Sequence, residues 1–324
     1  MAVPRVSIII AVKHNNPNLA ECIQHCLELD YPDYEIVVCP DEMYSSAHPK
    51  VRIIPTGAVG PAQKRDIAAQ QATGEILAFL DDDTYPVREW LRGAVDNFDD
   101  PAVAAVGGPA VTPPGDSTSA KASGFVYSSL AGGGNYAYRY LPFQKRLVDD
   151  YPTCNLLVRR NVFEKVGGFD TEFWPGEDTK LCLDLTQGLG MKIVYDPAAL
   201  VYHHRRRLFG PHLRQVQSYG MHRGYFAKRF PATSLRPSYF LPTLIALWMT
   251  VGWLVAAAWP GMSYPYLLSW AAYALIVAGS AYLASRSVRL TPYVALGIMT
   301  THLVYGIWFV VGLATPRLRE EANK

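Results

Sequence analysis

The C-terminal third of this 324-residue chain sets the first limit on its fold. From Tyr239 to Trp259, from Tyr266 to Ala284 and from Tyr293 to Ala314 there is no charged side chain. Each run is close to the roughly 20 residues that a helix needs to cross a bilayer, so three membrane-associated helices are expected. Basic residues flank them: Arg205 to Arg207 and Lys228-Arg229 come before the first run, and Arg286 and Arg289 lie between the second and third. Positive-inside bias then puts the preceding soluble domain on the cytoplasmic face of the plasma (inner) membrane. An odd number of crossings would leave the tail, with Arg317, Arg319 and Lys324, on the far side, so the topology of the third run stays open. A formal net charge of +2 is too small to argue for nucleic acid, and an anionic lipid surface is the expected partner of the basic stretches. Five cysteines, Cys22, Cys26, Cys39, Cys154 and Cys182, form no CxxC pair and read as reduced core residues.

The residues before the apolar runs alternate between two periodicities. Val6 to Val12 and Glu35 to Cys39 are continuous apolar, β-branched runs, and Asn18 to Leu29 between them has helical spacing. Lys13 and His14 close the first run, which reads as a strand and not as a secretory signal. Arg52 to Pro55 is a further strand, Ala62 to Ala72 a helix, Glu75 to Leu80 a strand and Val87 to Phe98 a helix. This alternation predicts an α/β fold with a doubly wound, mostly parallel sheet. Such sheets bind ligands beyond the carboxyl ends of their strands. Three of these strands end in polar clusters, Lys13-His14-Asn15-Asn16, Asp41-Glu42 and Asp81-Asp82-Asp83. The segment Thr112 to Gly134, rich in proline, serine and glycine, reads as a loop that could serve as a lid.

Three clusters carry the chemistry. Three consecutive carboxylates at a strand end repel one another by roughly 3 kcal/mol per pair at about 6 Å and an effective dielectric of 20. A divalent cation, Mg2+ or Mn2+, offsets that and can hold a diphosphate at the same time. Alternation along the chain puts Asp81 and Asp83 on the cation and Asp82 on a nucleotide; the bland alternative is a solvated turn that caps the next helix. The second cluster, Phe173 to Asp178, offers Asp178 as a general base with Glu177 beside it, and Trp174 as a face for a sugar ring. An N-cap is the alternative there. In the third, Tyr202 to Arg207, His203 is a candidate third metal ligand. Trp174, Glu177, His204, Arg205 and Arg207 are the expected acceptor or diphosphate contacts, with lipid headgroups as the other partner for the arginines. Phe209 to Phe230 mixes apolar and basic positions and reads as a helix lying on the membrane surface.

In this order the features resemble glycosyltransferase family 2, inverting enzymes with a Rossmann-like GT-A fold. The likeness covers roughly residues 4–230 and is carried by Ser7-Ile8-Ile9-Ile10, Gly60 to Asp66, Gly74 to Asp83, Val166-Gly167-Gly168-Phe169-Asp170 and Gly176-Glu177-Asp178. It implies a DxD metal role for Asp81 and Asp83, a base at Asp178, and nucleotide contacts from Asp41, Lys64 and Arg65. The QxxRW motif of the processive members is missing, and His203 to Arg207 takes its place, which argues for transfer of a single sugar. The expected organisation is a catalytic domain over 1–208, an interfacial segment over 209–238, a membrane region over 239–316 and a tail over 317–324. A nucleotide-sugar donor follows from the likeness, the membrane helices point to a lipid-linked or other membrane-associated acceptor, and the Glu177-Asp178 pair points to a hydroxyl on it. Transfer to a polyprenyl phosphate and a non-catalytic nucleotide-sugar-binding scaffold remain as alternatives.

Overall fold

A computed structural model describes residues 3–45, 48–169 and 173–318. Two compact units emerge, one built from Met1–Val111 and Leu141–His204, the other from Thr112–Tyr140 and Arg205–Asn323.

In the first unit the strands are β1 (Val6–Ala11), β2 (Tyr34–Cys39), β3 (Val51–Ile53), β4 (Ile76–Asp81), β5 (Thr84–Pro86), β6 (Val103–Gly107), β7 (Ala110–Val111), β8 (Arg146–Val148), β9 (Asn155–Arg159), β10 (Lys192–Tyr195) and β11 (Val201–His203). The main sheet runs β3-β2-β1-β4-β9-β6-β10-β8. Its β1, β2, β3 and β4 are parallel, while β9 is antiparallel to both of its neighbours. Strands β1 and β2 and most of β4 are buried on both faces, which is why they read as unbroken apolar runs and not as alternating ones. Register then decides where the polar clusters fall. Ala11 pairs with Cys39 on one side and with Asp81 on the other, so the three clusters predicted at strand ends leave the sheet along one edge. A second sheet, β5-β11-β7, sets His203 opposite Thr84.

Two expectations are corrected here. The helix expected over Val87 to Phe98 is confined to Trp90–Val95, followed by a 3-10 turn, because Thr84–Pro86 is taken up as a strand by β11. The stretch Thr112 to Gly134 is no open loop. Thr118–Ser128 is a helix capped by the Ser117 hydroxyl, with Ala120, Ala122, Ser123, Gly124 and Val126 buried. Small residues here fit a close helix contact that their composition disguises: a Cβ on Gly124 would lie 2.0 Å from Thr112 Oγ1.

The second unit is helical, with Gly210–Arg229 and the three apolar helices Pro237–Ala258, Ser263–Ser285 and Thr291–Ala314. All three are long and apolar enough to cross a membrane, and leucines and tryptophans such as Trp248, Trp253 and Leu267 are exposed on them. Gly210–Arg229 forms as expected, but its apolar face, with Val216, Tyr225 and Phe226 buried, is turned onto Thr291–Ala314. A Cβ on Gly224 would sit 2.0 Å from the Phe309 carbonyl oxygen, and one on Gly312 2.0 Å from that of Met221. Backbones approach this closely only where no side chain intervenes.

Candidate active site

The site grows from the end of β4. Asp81 is the last strand residue, Asp82 and Asp83 form a turn, and Thr84 opens β5, so Asp83 caps no helix. Pairing of β5 with β11 brings His203 Nε2 to 3.2 Å from Asp83 Oδ1. Asp81, Asp83 and His203 each offer a ligand atom, and these atoms all lie within 4.8 Å of one another. Two carboxylates and an imidazole, all partly buried, are a donor set that suits a divalent cation: the carboxylates fit Mn2+ or Mg2+, and the imidazole is the better match for Mn2+.

Asp82 turns the other way. Its Oδ2 accepts a hydrogen bond of 2.7 Å from Asn16 Nδ2, while Asn16 Oδ1 caps the helix Pro17–Leu27 at Leu19 N. Burial raises the Asp82 pKa, against the Asn16 bond that lowers it. The expected division of the triplet into an outer pair and an odd member is therefore present in the geometry, with Asn16 as the partner of the odd member.

Helix Pro61–Gln71 slides two buried cations beneath this edge, Lys64 at 2% and Arg65 at 4% exposure. A buried charge has to be paired. Lys64 Nζ lies 2.5 Å from Asp41 Oδ1 and donates to Thr56 Oγ1 and the Gly57 carbonyl. Arg65 uses its planar fork across two elements: Nη2 donates to Asp81 Oδ1 at 2.8 Å and Nη1 to Glu177 Oε1 at 3.0 Å. Both residues were expected on a nucleotide; their side chains are engaged by carboxylates of the protein.

Glu177 is buried, and its second oxygen accepts from its neighbour's Gly176 N. Both oxygens of this expected acceptor contact are held by groups of the protein. Gly176 has φ of 130°, which favours glycine, and it starts the short helix Glu177–Leu183. Asp178 is half-buried and accepts from Thr179 N at 2.7 Å. Thr179 is in turn fastened by its hydroxyl to the buried Asp150, 3.0 Å away. Trp174 is 53% exposed, so it is no core residue and its ring is available as a surface.

The adjacent side chain on the same helix, Asp66, holds the other end of this acidic segment. Asp66 Oδ1 accepts from Phe169 N at 2.9 Å, and Gly168 at φ of 80° leaves it room: a Cβ there would lie 2.6 Å from that oxygen. Burial pushes the Asp66 pKa up to about 6. Asp170 of the same motif lies outside the described residues.

His204 follows His203 and its backbone N donates to the Asp83 carbonyl at 3.0 Å. His204 Nε2 is 2.9 Å from Glu21 Oε2, since successive residues leaving β11 face opposite ways, so the ring of this expected diphosphate contact is engaged by the helix Pro17–Leu27. Arg205 and Arg207 belong to the second unit. Arg205 N donates to Asp116 and its guanidinium covers the Tyr140 ring at 5.0 Å, whereas Arg207 is exposed. Asn16 and Asp66 fall within the motifs singled out in the sequence without an assigned role, and nothing in the sequence points to Asp150. The Asn16-Pro17 pair is a readable helix start, but nothing local marks its bond to Asp82.

Residues 7–167 match the family described as Glycosyl transferase family 2. The chain carries a glycosyl transferase family 2 domain. Among relatives of this domain, the pre-mycofactocin glycosyltransferase of Mycobacterium tuberculosis is 29% identical over 236 residues, 70% of this chain and 48% of that protein. The chain thus spans about half the length of that relative. Glycosyltransferase AglE of Haloferax volcanii is 28% identical over 282 residues, 78% of this chain and 82% of the relative. In structure, a mannosyltransferase from Pyrobaculum calidifontis solved with GDP-Man and Mn2+ superposes with a TM-score of 0.57 at 21% identity, over 97% of this chain and 88% of that one. The fold of the family 2 domain is the GT-A arrangement that the sequence motifs predict.

Proposed function

We propose that this protein is a membrane-bound, inverting glycosyltransferase that moves one sugar from a nucleoside-diphosphate sugar to a hydroxyl of a lipid-linked acceptor. The observation that carries this reading is the Arg65 fork, which joins the Asp81, Asp83 and His203 group to the Glu177-Asp178 pair. A cation bound by Asp81, Asp83 and His203 would neutralise charge on the departing nucleoside diphosphate. Asp178 takes the proton of the acceptor hydroxyl, whose oxygen bonds to the anomeric carbon from the side opposite the breaking bond to phosphate. Inversion follows from that single displacement. Asp41, Lys64 and Asp82 line the same sheet edge and fit the nucleoside side of the donor. The exposed Trp174 ring offers a face to a sugar.

A hydroxyl acceptor needs a base, whereas a phosphate acceptor is already ionised, so a half-buried carboxylate at Asp178 favours the hydroxyl. The three apolar helices favour an acceptor held in a membrane, and the basic stretch from Arg205 to Arg207 favours a cytoplasmic catalytic unit at the plasma (inner) membrane.

The test is release of nucleotide from UDP-, GDP- and dTDP-sugars by purified protein with Mn2+, and transfer to lipid-linked saccharides, for wild type, Asp83→Ala and Asp178→Ala. Chelation should stop turnover and added Mn2+ restore it. Asp178→Ala should lower transfer by roughly 100-fold or more, the range of general-base contributions. Full transfer by that variant to a polyprenyl phosphate would overturn the base and the acceptor together.

A further inference from the structure

Helix Thr291–Ala314 has the length and composition of a membrane crossing, but its neighbours do not suit one. Gly210–Arg229 runs beside it in the same direction. His212 Nε2 lies 2.9 Å from Thr301 Oγ1, Gly220 abuts Tyr305, Gly224 abuts Phe309 and Leu313, and Lys228 Nζ donates to the Thr315 carbonyl at 2.6 Å. Before this helix, Leu208 packs on Gly297.

Thr301 stands at the middle of the 24-residue helix. In a crossing its level is the bilayer midplane. Arg214, two residues beyond His212, would then sit in hydrocarbon, and the exposed Arg206 and Arg207 would be drawn in with Leu208. A charged side chain near the midplane costs about 2.5–3.5 kcal/mol even on the mildest insertion scale. Residues 205 to 229 contain no Asp or Glu, and Asp116, which accepts from Arg205 N, lies beside Arg205 and not beside Arg214 in the pairing described.

The other two apolar helices behave differently. Pro237–Ala258 and Ser263–Ser285 form a hairpin closed by Trp248 Nε1 donating to Ser269 Oγ at 2.8 Å and by Ser263 Oγ donating to the Ala256 carbonyl at 3.0 Å. Thr291–Ala314 meets this hairpin between its middle and its base. His302 bonds Tyr273 at 2.8 Å, Gly306 abuts Pro242 and Ala246, and Phe309 meets Phe240 at 4.8 Å between ring centroids. Moving along Thr291–Ala314 from Gly306 to Phe309, the partner steps back towards the hairpin base, so the helix crosses the hairpin and does not follow it to the tip. Buried positions on Ser263–Ser285 agree: Val277, Ser280 and Ala281 all lie in its base half. The tip half carries the exposed Trp253, Trp259, Tyr264 and Leu268. Charges mark the two ends as well. Arg236 and Arg286 flank the base, and the tip from Trp259 to Met262 has none.

We propose that the hairpin Pro237–Ser285 alone crosses the bilayer, that Thr291–Ala314 and Gly210–Arg229 lie along the membrane surface at the hairpin base, and that Arg317 stays on the side of Arg206 and Arg207. The exposed Leu296, Ile307, Val310 and Val311 of the surface pair then face the acyl layer. Two crossings also keep the basic tail on the positively charged side, which three would not.

Full-length protein in sealed vesicles of either orientation tests this with a membrane-impermeant maleimide on Gly261→Cys, Arg289→Cys and Arg317→Cys. The native cysteines are buried, and wild type sets the background. Arg289→Cys and Arg317→Cys should react from one side and Gly261→Cys from the other. Reaction of Arg317→Cys from the Gly261→Cys side overturns the surface helix, and reaction of all three from one side overturns the crossing hairpin. A fluorescent protein fused after Lys324 of the otherwise unaltered chain, which lights up only on the cytoplasmic side, repeats the measurement should a cysteine variant fail to fold. Neither readout needs turnover, so their outcome is separate from that of the glycosyl-transfer assay.

Discussion

Arg65 does what no other side chain could do at its position. Its planar group holds two carboxylates in fixed directions, one from Asp81 in the proposed cation group and one from Glu177 beside the proposed base Asp178. A lysine there keeps the charge but can satisfy only one of them well. Arg65→Lys is therefore expected to lower kcat by roughly 100-fold, the effect of about 1 Å of misplacement. It should cost about 1–3 kcal/mol of stability for the lost charged hydrogen bond. A rise in donor KM with kcat unchanged would mean that Arg65 binds nucleotide instead. Its neighbour Asp66 yields a prediction in pH. Burial lifts its pKa from 3.8 to about 6. A raised folded-state value means that the stability it contributes is full below the unfolded pKa and is lost as pH rises through about 6. Asp66→Asn keeps the oxygen that accepts from Phe169 N and removes the titration. The variant should melt higher than wild type above that window, by about 1–2 kcal/mol after allowance for partial exposure, and the gap should close as the pH falls towards 4. Thermal unfolding across pH 4 to 7 checks this, and parallel curves for the two proteins would refute it.

At the scale of elements, the helix pair Gly210–Arg229 and Thr291–Ala314 rests on glycine. Gly224→Leu would force a side chain into the Phe309 carbonyl and should destabilise the second unit by several kcal/mol, in line with overpacking at a tight contact. Gly261→Ala, where nothing lies within 4 Å, should leave the melting point unchanged in detergent. The same pair shows what sequence pattern can and cannot reveal. Strands β1, β2 and β4 are legible because burial on both faces leaves an unbroken apolar run, and their shared polar edge follows from parallel pairing. His203 stands out in the sequence because imidazole is a common metal ligand, whereas its nearness to Asp83 comes from the pairing of β5 with β11. By contrast, the partners of Arg65 are 16 and 112 residues away, and no local pattern encodes such a distance. Thr118–Ser128 was hidden for a different reason: its serines, alanines and glycine are small because it packs closely, and smallness also marks loops. The internal partners of Glu177 and His204 are equally invisible in the sequence, since exposed and internally paired carboxylates or imidazoles look alike until their partners are known.

Over the whole molecule, the formal net charge of +2 conceals a strong division. Residues 1–204 hold 17 Lys and Arg against 26 Asp and Glu, while residues 205–316 hold ten Lys and Arg and no acidic residue. An anionic lipid surface therefore attracts one part of the chain and repels the other, and each basic side chain near that surface is worth about 1 kcal/mol. The acidic part is where a cation and a phosphorylated donor are expected to assemble, so the repulsion works against collapse of that part onto lipid. Protein reconstituted into nanodiscs should unfold at a higher temperature in anionic than in zwitterionic lipid at low ionic strength. The difference should fade at high ionic strength, where charges are screened within about 3 Å at 1 M salt. Replacing the exposed Arg206 and Arg207 together by glutamine should shrink it by about 2 kcal/mol, one for each charge removed. Equal melting in both lipids at low salt would show that the basic part meets no headgroups, and that its charge serves the protein interior instead.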